Sequence, residues 1–364
     1  MVEIKATQIL FDLLKAGLWG GEPQLLEFFP LSENEWTSVY KYAVAHTVEG
    51  VVFDGILQLP KDFFPPRGLF MKWFVRREKI EQQNLAMNVE IADQVGFLQE
   101  AGLSPLLIKG QGVASCYRHP LSRVSGDIDW VFLGKKQFEN GISFFRSQGR
   151  NVVKDTSISA LLKWKNCEVD LHGRLFDLYN PFRSKFLEKL MARECSQRRQ
   201  ILINKKTVLL PSILEQMLIS NTHIFRHLLS FGIGLRHICD SAMLYSYYHS
   251  AYDRQELSQI YDHLGIGRWM ASMHVILFKY FGLPPAFLPE AINENADVDW
   301  VMEDILSVGN FGFYRTQDNR RKTKICTQQQ KLSLGVRRLL NYLPLAPMES
   351  ICFPIAQIYN KLIK

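Results

Sequence analysis

Residues 126–133 read Gly-Asp-Ile-Asp-Trp-Val-Phe-Leu, and no other stretch restricts the fold of this chain as much. From Asp127 to Leu133 the run is strand-like, and successive side chains of a strand leave on opposite faces. Asp127 and Asp129 therefore share one face, while Ile128 and Trp130 enter the layer behind it. Two carboxylates this close raise one another's pKa unless a cation sits between them. Oxygen donors of this type suit Mg²⁺ or Mn²⁺, which complete their shells with water and phosphate oxygens. By itself an Asp-x-Asp is equally a polar strand or turn at the surface, so its meaning comes from its neighbours.

Three neighbours point the same way. Upstream, Leu106, Leu107 and Ile108 form a short apolar strand that ends at Lys109-Gly110-Gln111 and runs into a short helix through Val113, Ala114 and Tyr117. Glycine permits close backbone approach to a phosphate, a helix start offers free N–H donors, and Lys109 adds a point charge. Downstream, Cys-Glu-Val-Asp-Leu-His-Gly (167–173) reads as a strand with Val169 and Leu171 packed inward and Glu168, Asp170 and His172 on the other face. Asp170 is the expected third carboxylate of a two-metal site, able to orient or deprotonate an attacking hydroxyl, with Glu168 an alternative on the same face. Finally, Arg123, Ser125 and Gly126 lead directly into Asp127, and an arginine fork matches phosphate oxygens.

The surrounding chain divides into three stretches. Residues 1–102 read as a helical region: Ile9, Leu10, Leu13, Leu14 and Leu18 recur at helical spacing, Ser32 with Glu35 signals a capping box, and a long helix from about Gly68 ends near Gly102. Residues 103–210 alternate short apolar runs with turns and predict a mixed α/β core. It contains a helix over Phe138, Ile142 and Phe145, a hairpin turning at Lys165-Asn166, and a second hairpin in Gln-Ile-Leu-Ile-Asn-Lys-Lys-Thr-Val-Leu-Leu (200–210). Residues 211–364 return to helical periodicity. The expected fold class is α+β, a small mixed sheet between helical regions.

Charge and cysteine usage narrow the setting. Between Arg315 and Leu340 eight basic residues face one acid, an excess equal to the whole formal net charge of +7. Such a block attracts phosphate-rich partners, nucleic acid included, or forms a solvated surface. The six cysteines match neither a zinc site nor a disulfide framework. With no secretory h-region and no run of about eighteen apolar residues, a cytoplasmic protein without a transmembrane segment is expected.

The order Ile-Lys-Gly-Gln (108–111), Tyr117, Arg-x-x-Gly-Asp-Ile-Asp (123–129), Val-Asp-Leu-His-Gly (169–173), Thr-His-Ile-Phe-Arg-His (222–227) and Leu-Arg-His-Ile-Cys-Asp (235–240) resembles the bacterial uncharacterised nucleotidyltransferases of the polymerase-β-like superfamily. The resemblance covers about residues 100–240. It implies a polymerase-β-like core that moves a nucleoside monophosphate from an NTP, ATP among the candidates, to a hydroxyl or amine acceptor, whether small molecule, protein or RNA. Asp127, Asp129 and Asp170 would bind Mg²⁺ or Mn²⁺. Lys109, Gly110, Gln111, Arg123, Ser125 and Gly126 would lie near the nucleotide phosphates. His172, His223, Arg236 and Asp240 are substrate-side candidates. The chain departs from many superfamily members in carrying Gln111 where they have Gly or Ser. Two alternatives stay open: a nucleotide-binding regulatory module without turnover, and a metal-dependent phosphohydrolase.

Two further constellations have simpler explanations. His223 and His227 are four apart, but Ile224 stands where a zinc protease needs its glutamate. One histidine is expected to line the cleft and the other to cap or pack. Arg236 and Asp240, also four apart, read as an ion pair on a helix surface.

Overall fold

The carboxylate-bearing strand lies inside a five-stranded sheet of order β1-β2-β5-β4-β3. Its strands are β1 (Leu106–Ile108), β2 (Asp127–Val131), β3 (Val153–Thr156), β4 (Ser159–Trp164) and β5 (Cys167–His172). The structure is a computed structural model that describes residues 2–176, 178–230, 232–312 and 338–362. Within the sheet β2 and β5 run parallel, and the other neighbours are antiparallel. Most of the expected basic block, residues 315–337, lies outside the described residues.

Alternation fixes the register. Ile128, Trp130, Val169 and Leu171 are at most 1% exposed and share one core with Phe138, Ile142 and Phe145. The last three lie on α6 (Lys135–Ser147), and Gly149 at φ 71° follows that helix as expected. Met87, Ile91, Val95 and Leu98 close the same core from α4 (Arg67–Glu100). Each such apolar side chain contributes about 2 kcal/mol on burial. A one-residue slip of β2 would drive Asp127 and Asp129 into this layer, so burial and carboxylate orientation are one constraint.

Both expected hairpins form. β4 and β5 turn at Lys165 (φ 50°), while β6 (Arg199–Ile203) and β7 (Lys206–Leu210) turn at Asn204 and Lys205, both at positive φ. The sequence reading did not isolate β3. Its residues Val153–Asp155 are exposed, so it carries no clear apolar alternation.

A second core joins the early and late helices. It unites α1 (Val2–Trp19), α2 (Glu33–Ala45) and α3 (Glu49–Ile56) with α8 (Ile213–Leu229), α9 (Leu235–Tyr247), α10 (Arg254–Leu264), α11 (Gly267–Phe281) and α12 (Asp299–Val308). Leu106 and Ile108 of β1 face this core, whereas Leu107 faces the other. Two short helices complete the described order, α5 (Gly110–Ala114) and α7 (Ser184–Glu194), and the last described helix is Pro347–Leu362. The capping box at Ser32 and Glu35 forms, and Ser212 with Glu215 makes a second one at the start of α8. Among the described residues no helix is long and apolar enough to cross a membrane.

Two close approaches position the entry to β2. A Cβ on Gly50 of α3 would lie 2.1 Å from the Ser122 carbonyl oxygen, so only glycine lets α3 meet the chain there. On α4, the Asn84 amide donates to the Leu121 and Arg123 carbonyls, both at 2.8 Å.

His46 joins α2 to α9. Its carbonyl accepts the Arg236 backbone N–H, and its ring is fully buried against the backbone of Leu306. Burial is the dominant influence and lowers the imidazole pKa to about 4, with the Leu306 bond working against it. The unfolded chain takes up this proton near pH 6.5, so the stabilisation is complete above that pH and is lost as pH falls toward 4. Between pH 7 and 4.5 the effect amounts to about 2 kcal/mol. His46→Gln is expected to lose that much less stability than the parent over this range, as measured by urea unfolding at the two pH values.

Candidate active site

Parallel pairing of β2 with β5 puts Asp129 directly beside Asp170, and Asp127 beside Glu168. All four line a cleft of about 860 Å³ between the polar face of the sheet and helices α8 and α9. Asp129 is 4% exposed and Asp170 is half-buried, whereas Glu168 is exposed at the rim. Register puts both Asp170 and Glu168 beside the pair, and it is burial that sets Asp170 apart from the exposed Glu168.

His172, two residues on from Asp170, stands over the same spot. Its Nε2 is 2.8 Å from Asp129 Oδ1, and Lys109 Nζ lies 3.3 Å from the same oxygen. An ionised Asp129 can only accept, so Nε2 carries the hydrogen. Asp129, Asp170 and His172 each offer a ligand atom within 4.8 Å of the others, a set compatible with a metal ion. Asp127 is on the same face but outside that tightest group.

The carboxylates differ in their titration. Burial pushes Asp170 up to about 7, helped by the charges of Asp129 and then Asp127. Asp127 is raised chiefly by the charge of Asp129, then by burial. Burial would raise Asp129 as well, but Lys109 and the His172 hydrogen bond outweigh it and hold this carboxyl well below the usual range. One member is thus fixed as an anion while its neighbours resist ionisation. A metal cation would relieve that repulsion, and two carboxylates with an imidazole are compatible with one.

The strand end at Lys109 turns sharply. Lys109 adopts φ 57° and Gly110 φ 38°, which brings the turn against the Asp127 carbonyl. Gln111 is turned elsewhere: its side chain is buried and donates to Asn84 Oδ1 at 3.0 Å. It is a packing residue between α5 and α4 and is not aimed at the cleft.

The arginines depart from the sequence expectations. Arg123 is 4% exposed, and Asp240 takes up its guanidinium in a bidentate pair at 2.7 and 2.6 Å. Ser125 Oγ accepts from Arg123 Nη1, and the Tyr117 hydroxyl donates to Asp240, both within hydrogen-bond range. Arg123 and Ser125 therefore build the cleft wall and have little left for a phosphate. Asp240 does not pair with Arg236, and neither is part of a surface ion pair. The nearer, better-matched guanidinium of Arg123 captured the acid. Arg236 instead donates to the Val124 carbonyl at 2.8 Å and lines the cleft beside Gly126 and Asp127.

Both His223 and His227 line the cleft, their ring centres 4.2 Å apart. His237, Arg226, Arg174 and Tyr179 line it too, although the sequence reading did not select them. A signal was available for Arg226: with His223 and His227 it occupies one side of α8, whose other sides are buried. Arg174, Arg226 and Tyr179 come together as two guanidiniums around one ring, 5.0 and 6.0 Å from its centre. The five described cysteines are unpaired and lie outside the cleft lining.

A mixed sheet carrying clustered carboxylates above a polar cleft is consistent with a nucleotidyltransferase-like α+β fold. The chain belongs to the family described as uncharacterised nucleotidyltransferases, whose family model matches residues 32–282. Among solved structures it is similar to an antigenic nucleotidyltransferase-like protein from Paracoccidioides brasiliensis. The two are 12% identical with a TM-score of 0.35, covering 57% of this chain and 94% of that one. No curated protein matches the chain.

The carboxylate coupling has a direct readout. Without metal, the Asp170 carboxyl is expected to titrate near pH 7 in a ¹³C NMR titration. Asp129→Asn removes one of the charges that raise it, so the midpoint should move down; an unchanged or higher midpoint contradicts the coupling.

Proposed function

We propose that the protein is a metal-dependent nucleotidyltransferase that moves a nucleoside monophosphate from an NTP to a hydroxyl or amine acceptor. The observation that carries this reading is the in-register pair of Asp129 and Asp170, with Asp127 on the same face of one cleft. Family membership supports the transfer class.

Asp127, Asp129 and Asp170 would hold Mg²⁺ or Mn²⁺, with His172 beside them. Bound there, such ions neutralise phosphate charge and lower the pKa of an acceptor hydroxyl. The remaining work falls to the chain's own groups, and for phosphoryl chemistry it is mainly positioning. Asp129, kept ionised by Lys109 and His172, is the fixed anchor. Asp170, in register beside Asp129 on β5, would orient the acceptor hydroxyl or take its proton. Lys109, bound to Asp129 at the end of β1, stands where it can steady phosphate charge. The helical wall of α8 and α9 supplies the acceptor side.

Gln111 and Arg123, both engaged with protein groups, favour a second reading in which nucleotide is bound as a ligand without turnover. The two readings separate in one assay. Each labelled NTP is incubated with Mn²⁺ and acceptor-containing extract, and label transfer and pyrophosphate are measured. Asp127→Asn with Asp129→Asn should lower transfer by at least about a thousandfold. The same substitutions should abolish the rise in melting temperature that Mn²⁺ produces in the parent. NTP binding with no transfer under any condition gives the ligand reading its support and removes the enzyme.

A further inference from the structure

Arg123 and Arg236 are neighbours on the inner wall of the cleft, yet only one has a counter-ion. The Asp240 carboxylate, one turn along α9 from Arg236, is held by both Arg123 Nε and Nη2. Arg236 retains a single side-chain hydrogen bond, from Nη1 to the Val124 carbonyl at 2.8 Å. Its Nε is enclosed with no partner. Among the described residues no carboxylate lies within ion-pair distance of Arg236. The charges of Asp240 and then Asp127 favour its charged form without forming an ion pair with it. Burial, and then the positive charge of Arg123, weaken the hold of Arg236 on its proton. A guanidinium with no carboxylate in ion-pair contact and one enclosed donor without an acceptor carries a desolvation cost that the Val124 bond and the charges of Asp240 and Asp127 offset only in part.

The surroundings indicate what would offset it. His223, Arg226 and His227 of α8 and His237 of α9 line the same wall as Arg236. The sheet side of the cleft carries Asp127, Asp129 and Asp170. A ligand spanning the cleft would present anionic oxygens to α8 and α9. We propose that Arg236 anchors an anion subsite on this helical wall, built for a phosphate or pyrophosphate group. The subsite rests on the reading of the cleft as one that handles phosphate esters. A guanidinium presents donors in a planar fork that fits two phosphate oxygens, and Nε is the donor still without an acceptor.

The charge arrangement adds a consequence. The charge of Asp127 favours the charged form of Arg236, and a cation drawn to the carboxylates would take up that negative charge. Anion at the helical wall and cation at the sheet should therefore strengthen one another, with equal factors in each direction.

The test uses the full chain, freed of metal, with inorganic pyrophosphate and then orthophosphate as probes in a calorimetric titration. The parent is expected to bind pyrophosphate, and Arg236→Met to weaken that binding at least about tenfold while melting as a folded protein. Asp129→Asn should bind the probe more tightly, because it removes a like charge from the opposite wall. This behaviour separates the two readings. If no NTP is ever transferred but Arg236→Met alone loses pyrophosphate, the subsite stands and the transfer reading falls. Displacement of pyrophosphate by NTP assigns the subsite to the donor nucleotide. Displacement by a sugar phosphate while NTP stays bound assigns it to a phosphorylated acceptor. Equal affinity in the parent and a folded Arg236→Met overturns the proposal, as does a parent that binds neither probe. Should Arg236→Met fail to fold, Arg236→Lys is read instead, since it keeps the charge and loses the fork. A several-fold loss then supports the subsite, and unchanged affinity overturns it.

Discussion

The cleft depends on one buried ion pair. Arg123 lies in the chain that enters β2, Asp240 lies on α9, and their bidentate contact ties the sheet to the helical wall opposite. Tyr117 and Ser125 complete its hydrogen bonds, so the pair is close to satisfied on both sides. Removing one partner from such a pair leaves the other charge buried, which costs several times the net worth of the pair itself. Here the penalty guards a distance, the gap between the carboxylates of β2 and the basic side of α8 and α9.

Across that gap the electrostatics are graded. Asp129 is stabilised as an anion by Lys109 and His172, while Asp170 is destabilised as an anion by burial and the charges of Asp129 and Asp127, and Asp127 by the charge of Asp129 and by burial. Neighbouring groups of one chemical type are thus given different protonation preferences, an arrangement typical of sites that handle charge during a reaction. Between the two arginines the contrast recurs with opposite sign, because Arg123 is paired with Asp240 and Arg236 has no carboxylate in ion-pair contact.

Much of this was legible in the sequence, and the limits have physical causes. The alternation in residues 127–131 and 167–172 fixed which side chains face the cleft, since a two-residue period leaves no choice once one face is apolar. Turn residues and capping boxes marked the hairpins and helix starts, because their requirements are local. What could not be read was partnership across space. Arg236 and Asp240 sit at ideal helical spacing, yet the acid pairs with Arg123, more than a hundred positions upstream, since that fork reaches both oxygens. Gln111 resembled a loop residue near phosphate and proved to be a hydrogen-bond partner of Asn84. The exposed strand β3 had no apolar rhythm to reveal it. His172 was placed on the correct face, but its closeness to Asp129 follows only from β5 lying beside β2.

The long helix α4 carries a consequence for how the molecule comes apart. At 34 residues it runs about 51 Å, contributing Trp73 to the helical core and Met87 through Leu98 to the core behind the sheet. Between those two contacts Asn84 holds the carbonyls of Leu121 and Arg123. A helix rooted in both cores cannot fray in one without loosening the other, so melting should spread through both as a single cooperative event. The carboxylate strand is then kept in place by the free energy of the whole molecule, including cores that never touch a ligand.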